Sequence, residues 1–264
     1  MRNRLGLSVA ARNFGDAPIR QSLETVARIG FDRCDNFDWR NPEEFAIYSQ
    51  ALREFGLDAG VLVVNKKPDV NAPGCSLVCP EDREGFLREL RLCIDAALEV
   101  DCRRLEILTG NTVPNVPRAE QMNCCIETLQ AALPLLEANG MTAVVELLNS
   151  TVDHPDYFLN LVEEGVELVE RVGSPRVKLL FDIYHVQVMQ GNIIQRIRDS
   201  ITCIGQFHFA DVPGRHEPGT GEINFRNVFR AIYDLGYDGF VTAEYHPTDS
   251  SMSDLEVVRD LAIF

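Results

Sequence analysis

Short apolar runs alternate with longer amphipathic stretches along most of the chain, and this alternation is typical of a parallel α/β protein. The short runs indicate buried strands, because turn residues or helical stretches flank each of them. We predict eight strands, over residues 4–9, 31–37, 58–64, 103–108, 142–148, 177–182, 203–209 and 239–245. We predict helices over residues 18–29, 43–55, 83–100, 118–138, 157–172, 193–200, 225–235 and 255–264.

Eight β/α units in succession favour a single (β/α)₈ barrel over two separate domains. The length of 264 residues agrees with this fold, since such barrels typically have about 250 residues. No low-complexity linker interrupts the units, so we expect residues 1–264 to form one domain. The polar segment 65–80 is long for a connection in a compact domain, and we interpret it as a lid or a binding loop.

The net charge of −15 and the pI of about 4.7 restrict the partners of the chain. They argue against nucleic acid and against an anionic membrane surface. An anionic substrate would need local positive charge, from a metal or an arginine. The chain has no run of about 20 apolar residues, so we expect no transmembrane helix. Its N-terminus lacks the long apolar region of a signal peptide.

The eight cysteines contain no C-x-x-C pair that would suggest a zinc ribbon. A chain of this size does not need disulfide cross-links in order to fold. We therefore expect free thiols in a reducing compartment, which favours a cytoplasmic protein.

Four predicted strands each carry one metal-type ligand at or near their carboxyl end, namely Glu146, Asp182, His208 and Glu244. In a parallel barrel these ends meet on one face, which is where catalytic groups collect. A single strand-end carboxylate is often only a helix cap or an ion-pair member, but four ligands on successive strands favour a metal site. Three carboxylates and an imidazole suit Mn²⁺ or Mg²⁺ best, and Co²⁺ or Zn²⁺ would also fit.

A metal held there would leave positions for a substrate with adjacent oxygens, such as a hydroxy-ketone, and would stabilise an enediolate. Glu146 and Glu244 are then the natural pair of carboxylates to remove a proton and to return one. His185 could donate to a substrate oxygen, or it could simply be a packed histidine. Arg215 could bind a substrate carboxylate or hydroxyl, or be a solvated loop charge. We leave the roles of five further residues open: Asp35, Glu106, His216, Glu217 and Glu222.

The motifs around these residues resemble the hydroxypyruvate isomerase family, part of the wider group of xylose isomerase-like TIM barrels. The resemblance covers nearly the whole chain and is tightest over residues 144–246. The motifs are Val-Val-Glu146-Leu-Leu-Asn, Phe-Asp182-Ile-Tyr-His185, Gln-Phe-His208-Phe-Ala-Asp, Pro-Gly-Arg215-His216-Glu217-Pro, Gly221-Glu222-Ile-Asn and Ala-Glu244-Tyr.

The resemblance implies an intramolecular oxidoreductase that interconverts hydroxypyruvate and tartronate semialdehyde. It implies that Glu146 and Glu244 are acid/base residues that also contact the metal, and that Asp182 is a metal ligand. His208 would be the fourth ligand, at a position where hydroxypyruvate isomerases often have glutamine and ketose epimerases have histidine. His185 and Arg215 match positions that contact substrate.

Three alternatives remain beside this interpretation. His208 and the unusual stretch 149–155 favour an isomerase or 3-epimerase of a larger substrate, a 2-oxo-tetronate or a ketose. An endonuclease-like phosphodiesterase would need a basic surface and more metal ligands, and the charge of −15 and the five histidines argue against it. A non-catalytic carbohydrate-binding barrel is the third. The expected partner is a small hydroxy-keto acid or ketose, and barrels of this group often form homo-oligomers.

Overall fold

Nine strands form a single sheet in which every strand pair is parallel, in a computed structural model that describes residues 4–65, 74–249 and 252–264. The order in the sheet is β3-β2-β1-β9-β8-β7-β6-β5-β4. The strands are β1 (Gly6–Ala10), β2 (Arg33–Asp35), β3 (Asp58–Ala59), β4 (Val61–Val63), β5 (Arg104–Ile107), β6 (Thr142–Glu146), β7 (Val177–Asp182), β8 (Ile204–Phe209) and β9 (Phe240–Ala243).

The strands β3 and β4 are two halves of the third predicted strand, separated only by Gly60. Since β3 pairs with β2 and β4 pairs with β5, the two halves close the sheet into an eight-stranded barrel. A Cβ atom at position 60 would lie 1.3 Å from Oδ1 of Asp35. Glycine is therefore required here, because the Asp35 side chain passes directly over the backbone. The predicted α/β TIM-barrel fold is confirmed.

Helices follow most strands and cover the outside of the barrel. They are α1 (Ile19–Ile29), α2 (Pro42–Phe55), α3 (Arg83–Glu99), α4 (Arg118–Ala138), α5 (Val162–Val172), α6 (Ile183–Met189), α7 (Ile193–Ser200), α8 (Phe225–Asp234) and α9 (Asp254–Leu261). Local sequence explains their ends: the Asn41 side chain accepts a hydrogen bond from the backbone N–H of Glu44 at the start of α2, and Gly56, at φ +67°, ends it. No helix among the described residues is long and apolar enough to span a bilayer.

The hydrophobic core lies between the barrel and its helices, and strand side chains such as Leu7, Leu105, Leu179 and Phe207 are fully buried in it. Burying one such side chain contributes about 2 kcal/mol. The near-continuous apolar runs that predicted the strands follow from this burial on both faces of the sheet. All eight cysteines are free thiols, as the sequence predicted.

Two helix predictions differ from the structure. The helix predicted over 157–172 begins only at Val162, because the preceding residues pack across the carboxyl end of the barrel. There, the buried Tyr157 hydroxyl donates to the carbonyl of Glu146 and accepts from the backbone N–H of Thr109. The short helix α6 was not predicted, and it begins because the Asp182 carboxylate accepts a hydrogen bond from the backbone N–H of Tyr184 at 2.8 Å. Part of the predicted loop 65–80 lies outside the described residues.

Candidate active site

The four predicted ligands meet at the carboxyl end of the barrel. Glu146, Asp182 and His208 lie at or near the ends of β6, β7 and β8, and Glu244 directly follows β9. One ligand atom from each of them lies within 4.8 Å of the others, and all four residues are buried. The structure therefore brings together residues that are up to 98 positions apart in the sequence.

Unpaired polar atoms indicate that this cluster suits a cation. Within the described part of the chain, Oδ2 of Asp182 and Nδ1 of His208 are buried without a hydrogen-bond partner. Nδ1 of His208 lies 3.8 Å from Oε1 of Glu146 and 3.5 Å from Oε2 of Glu244, too far for good hydrogen bonds. Buried unsatisfied polar groups are costly, and an oxygen-rich set with one imidazole matches the ligand preference of Mn²⁺ or Mg²⁺.

The pKa values of the two glutamates of the cluster are shifted in opposite directions. Burial raises the pKa of Glu146 well above its ordinary value, and the nearby Glu106 and Glu244 raise it further. Burial alone would also raise the pKa of Glu244. Arg12, Arg215 and His208 outweigh that effect and hold the Glu244 pKa well below its usual range. Carboxyl groups whose pKa values are pushed apart are suited to act as an acid and a base.

A buried polar network lies on the Nε2 side of His208. Its Nε2 lies 3.7 Å from Oδ2 of Asp35. Asp35 itself accepts a hydrogen bond from Ser8 and one from the Thr242 hydroxyl at 2.7 Å. Burial alone would lower the pKa of His208, but the carboxylates of Asp35 and Glu244 outweigh it and raise that pKa. At this distance Asp35 makes no hydrogen bond to Nε2, which has no partner within the described residues, so Asp35 acts on the imidazole through its charge.

His185 presents one nitrogen to the cluster. Both the backbone N–H and the side-chain Nδ2 of Asn149 approach Nδ1 of His185, at 3.2 and 2.7 Å. Nδ1 must therefore accept, and the ring proton sits on Nε2, which lies 3.6 Å from Oδ2 of Asp182. Burial first, and the charge of Arg215 second, lower the pKa of His185 well below its ordinary value. The lowered pKa favours the neutral imidazole, whose Nε2–H is directed toward Asp182 of the cluster.

Arg215 lies inside the cluster. Its Nη2 is 2.6 Å from Oε2 of Glu244 and 3.6 Å from Oδ2 of Asp182. The residue adopts a left-handed conformation, at φ +58°, in the loop that follows β8. Asp211 holds that loop, since its carboxylate accepts hydrogen bonds from the backbone N–H groups of Gly219, Gly221 and Ile223. The guanidinium is thus already engaged with protein carboxylates.

The remaining residues whose roles were open separate into two groups. Glu106 is buried beside Glu146 and raises its pKa. The others are on the outer side of the loop: Nδ1 of His216 is 2.7 Å from the carbonyl of His246, Glu217 accepts hydrogen bonds from Thr248, and Glu222 accepts one from Gln187. These contacts shape the loop and do not reach the cluster.

Sequence reasoning missed two residues that touch Glu244. Asn36 donates from Nδ2 to Oε1 of Glu244 at 3.2 Å, and Nε of Arg12 lies 3.6 Å from the same oxygen. Arg12 follows β1 and Asn36 follows β2, so both occupy the face on which the ligands were sought. Extending the strand-end argument to the first two strands would have pointed to these two segments, but not to the individual side chains that reach Glu244.

Comparisons with known proteins agree with this geometry. The sequence model of the family described as xylose isomerase-like TIM barrel matches residues 23–261. A protein of Danio rerio named "Putative hydroxypyruvate isomerase" is 32% identical over 90% of this chain and 88% of its own length. A "2-oxo-tetronate isomerase" of Pectobacterium atrosepticum is 28% identical over 89% and 88%. The crystal structure of an AP endonuclease, family 2, from Brucella melitensis superposes with a TM-score of 0.86 at 27% identity, over 97% of this chain and 99% of that one.

Proposed function

This chain belongs to the hydroxypyruvate isomerase family of xylose isomerase-like TIM barrels, and we propose that it interconverts hydroxypyruvate and tartronate semialdehyde with the help of a divalent metal. The observation that carries the proposal is the pair Glu146 and Glu244. These glutamates share one buried cluster, and their pKa values are shifted in opposite directions. Reversible proton transfer between adjacent carbons needs such a pair.

The residues that would hold the metal are Glu146, Asp182, His208 and Glu244. A bound divalent cation would polarise the substrate carbonyl and stabilise negative charge on its oxygen. Mn²⁺ or Mg²⁺ is the metal that we propose, on the basis of the three carboxylates and one imidazole.

The opposite directions of the two pKa shifts support the assignment of the proton transfers. Glu244 acts as the base that removes a proton from C3 of hydroxypyruvate, and the electrons of that C–H bond form the C2–C3 double bond of an enediolate. Glu146 acts as the acid that returns a proton to C2. The hydroxyl proton must also move from the oxygen on C3 to the oxygen on C2. The Nε2–H of His185 faces the cavity and donates a hydrogen bond to one of these oxygens.

Hydrogen exchange tests this proposal directly. In D₂O with Mn²⁺, the protein should incorporate deuterium at C2 of tartronate semialdehyde and, in the reverse direction, at C3 of hydroxypyruvate, as followed by ¹H NMR. The Arg88→Gln variant changes an exposed helical residue away from the cluster and serves as a control for handling and charge. Absence of exchange with every hydroxy-keto acid and ketose tried would contradict the proposal.

A larger substrate is the second candidate. Histidine at position 208 favours it, and so does the similarity to the relative named 2-oxo-tetronate isomerase. The same proton transfers would act on a longer keto acid or on a ketose, as isomerisation or 3-epimerisation. Ranking such substrates by kcat/KM decides between the candidates, since a preference for hydroxypyruvate over all of them would exclude the second.

We also propose that the protein acts in the cytoplasm as one domain over residues 1–264. The eight free thiols support a reducing compartment, and burial raises the pKa of thiols such as Cys93 and Cys125 well above the ordinary value, so they are kept unreactive.

A further inference from the structure

Two guanidinium groups flank Glu244, and they differ in exposure and in hydrogen bonding. Arg215 is buried; its Nη2 donates to Oε2 of Glu244 at 2.6 Å, and its Nε has no partner within the described residues. Nε of Arg12 lies 3.6 Å from Oε1, which is beyond hydrogen-bonding range, and its side chain remains 36% exposed. Within the described residues the Arg12 guanidinium makes no hydrogen bond. It therefore keeps its donors for a molecule that enters the site.

Arg12 lies at the rim of the site, between the buried cluster and solvent. It is part of a short 3₁₀ turn, Ala11–Phe14, that follows β1 at the carboxyl end of the barrel. The Arg12 side chain is 36% exposed, whereas the side chains of Arg215 and Glu244 are 8% and 6% exposed. Arg12 is therefore the guanidinium beside Glu244 that a molecule arriving from solvent meets first.

We propose that Arg12 binds the carboxylate of the substrate, and that it thereby makes the site selective for small 2-keto acids over neutral ketoses. The assignment deepens the proposed function and rests on it. A substrate carboxylate meets a site with three carboxylates in a chain of net charge −15, so an exposed cation with unpaired donors, in addition to the metal, favours its binding. The planar fork of arginine donates two parallel hydrogen bonds to a carboxylate, which also fixes the orientation of the bound acid.

The assignment also changes the role of Arg215. Its guanidinium is paired with Glu244 and close to Asp182, so it orients these carboxylates and holds the Glu244 pKa down. A substrate anchored through its carboxylate at Arg12 would place its carbonyl and hydroxyl carbons toward the cluster, because Arg12 borders Glu244 on the outer side.

A simpler role for Arg12 is to stabilise the ionised form of Glu244 alone. The two roles differ in their effect on a neutral ligand. Dihydroxyacetone matches hydroxypyruvate except that a CH₂OH group replaces the carboxylate. Loss of a carboxylate-binding residue weakens binding of hydroxypyruvate only, whereas loss of a residue that acts through Glu244 affects both compounds equally.

Calorimetric titration of the Mn²⁺-loaded protein with hydroxypyruvate and with dihydroxyacetone provides the test. We expect Arg12→Gln to weaken hydroxypyruvate binding about 10- to 100-fold and Arg12→Lys to weaken it less, since lysine keeps the charge without the fork. In steady-state kinetics the change should lie mainly in KM. Dihydroxyacetone binding should change by less than about twofold. Arg88→Gln, which removes the same charge from an exposed helical position, should bind both compounds as the wild type does.

Unchanged affinity for hydroxypyruvate in Arg12→Gln would overturn the assignment, and so would an equal loss for both compounds. The binding experiment does not require turnover. If no keto acid exchanged a C–H proton in D₂O, the proposed reaction would fail, while binding of hydroxypyruvate that depends on Arg12 would still be measurable.

Discussion

Nε2 of His208 lies 3.7 Å from Oδ2 of Asp35, so this edge of the imidazole is turned to a carboxylate inside the barrel. The opposite edge, with Nδ1, is turned to Glu146 and Glu244. Asp35 is fully buried and is held by Ser8 and Thr242. Carboxylates behind a ligating histidine fix its ring and raise its basicity. We therefore expect the charge of Asp35 to strengthen metal binding by His208 without contact with the substrate.

Removing the charge of Asp35 should weaken the metal site. We expect Asp35→Asn to lower Mn²⁺ affinity about 10- to 100-fold, because His208 loses the neighbouring negative charge that raises its basicity. Calorimetric titration with Mn²⁺ measures this, and Asp95→Asn on the exposed face of α3 is the matched control. Equal Mn²⁺ affinity in Asp35→Asn and wild type would contradict the role.

Substitution of Glu244 and of Glu146 should impair different steps of the reaction. We expect Glu244→Gln and Glu146→Gln each to lower turnover by about 10²- to 10⁴-fold, since each removes a proton-transfer group. Glu244→Gln should also lose C3–H exchange of hydroxypyruvate, because the ionised base is missing. Glu146→Gln should retain exchange at C3 and form little product. Exchange at the wild-type rate in Glu244→Gln would show that another group is the base.

Asn149 should control the protonation of His185. Its Oδ1 accepts from the backbone N–H groups of Val152 and Asp153, which fixes Nδ2 toward Nδ1 of His185. Asn149→Asp replaces that donor with an acceptor, so we expect a proton on Nδ1, a higher His185 pKa and a kcat about 10- to 100-fold lower.

Nitrogen-15 NMR of the imidazole, with pH-dependent kinetics, measures the effect of Asn149→Asp. The exposed substitution Asn123→Asp adds the same charge on α4 and should leave both readouts unchanged. An unaltered His185 signal in Asn149→Asp would contradict the tautomer assignment.

The convergence of Glu146, Asp182, His208 and Glu244 could be predicted from sequence because parallel strands fix which of their ends meet. His208 is in register with Asp182 on one side and with Thr242 on the other, so strand-end residues of neighbouring strands must be close. The direction of a side chain that follows a strand end depends on the local backbone conformation. Asn36 reaches Glu244 only because it adopts φ +62°, and Arg12 because a 3₁₀ turn follows β1. No apolar periodicity encodes either conformation.

The position of Tyr157 shows a second limit of structure prediction from the sequence. The pattern predicts a helix from residue 157, but the Tyr157 hydroxyl is bound by Thr109 and Glu146. These hydrogen bonds to groups distant in sequence delay the helix to Val162. Tertiary contacts of this kind override helix propensity, which is a weak preference.

Glu217 should stabilise the loop that carries Arg215, and should do so in a pH-dependent way. Burial alone would raise the pKa of Glu217, but hydrogen bonds from Thr248 outweigh it and lower that pKa from 4.5. A lowered folded-state pKa gives stability that is present above the unfolded value and is lost as pH falls through the folded value. Glu217→Gln should therefore lower the free energy of unfolding by about 1 kcal/mol at neutral pH.

The loss caused by Glu217→Gln should shrink as the pH falls below 4.5. Urea denaturation over a pH series measures it. Glu222→Gln, on the same loop, removes one exposed contact with Gln187 and should cost less. A pH-independent difference between Glu217→Gln and wild type would contradict the electrostatic origin.

Metal removal should destabilise the protein. A cation that binds only the folded state stabilises it by about 2.7 kcal/mol when present at 100 times its dissociation constant. For a chain of 264 residues this corresponds to a rise in Tm of about 5–10 °C. Thermal unfolding of chelator-treated protein, with and without Mn²⁺, measures the difference.

Glu146→Gln provides the control for metal removal. We expect this substitution to raise the stability of the metal-free protein, whereas removal of the metal lowers the stability of the wild type. Burial and the carboxylates of Glu106 and Glu244 disfavour the ionised form of Glu146. Folding without metal therefore costs either the protonation of this carboxyl group or the burial of its charge, and glutamine avoids both costs. We expect the metal-free variant to melt above metal-free wild type and to gain less from Mn²⁺, because one ligand is lost. A wild-type Tm that does not respond to Mn²⁺, Mg²⁺, Co²⁺ or Zn²⁺ would leave the buried carboxylates without a cation and would contradict the metal site.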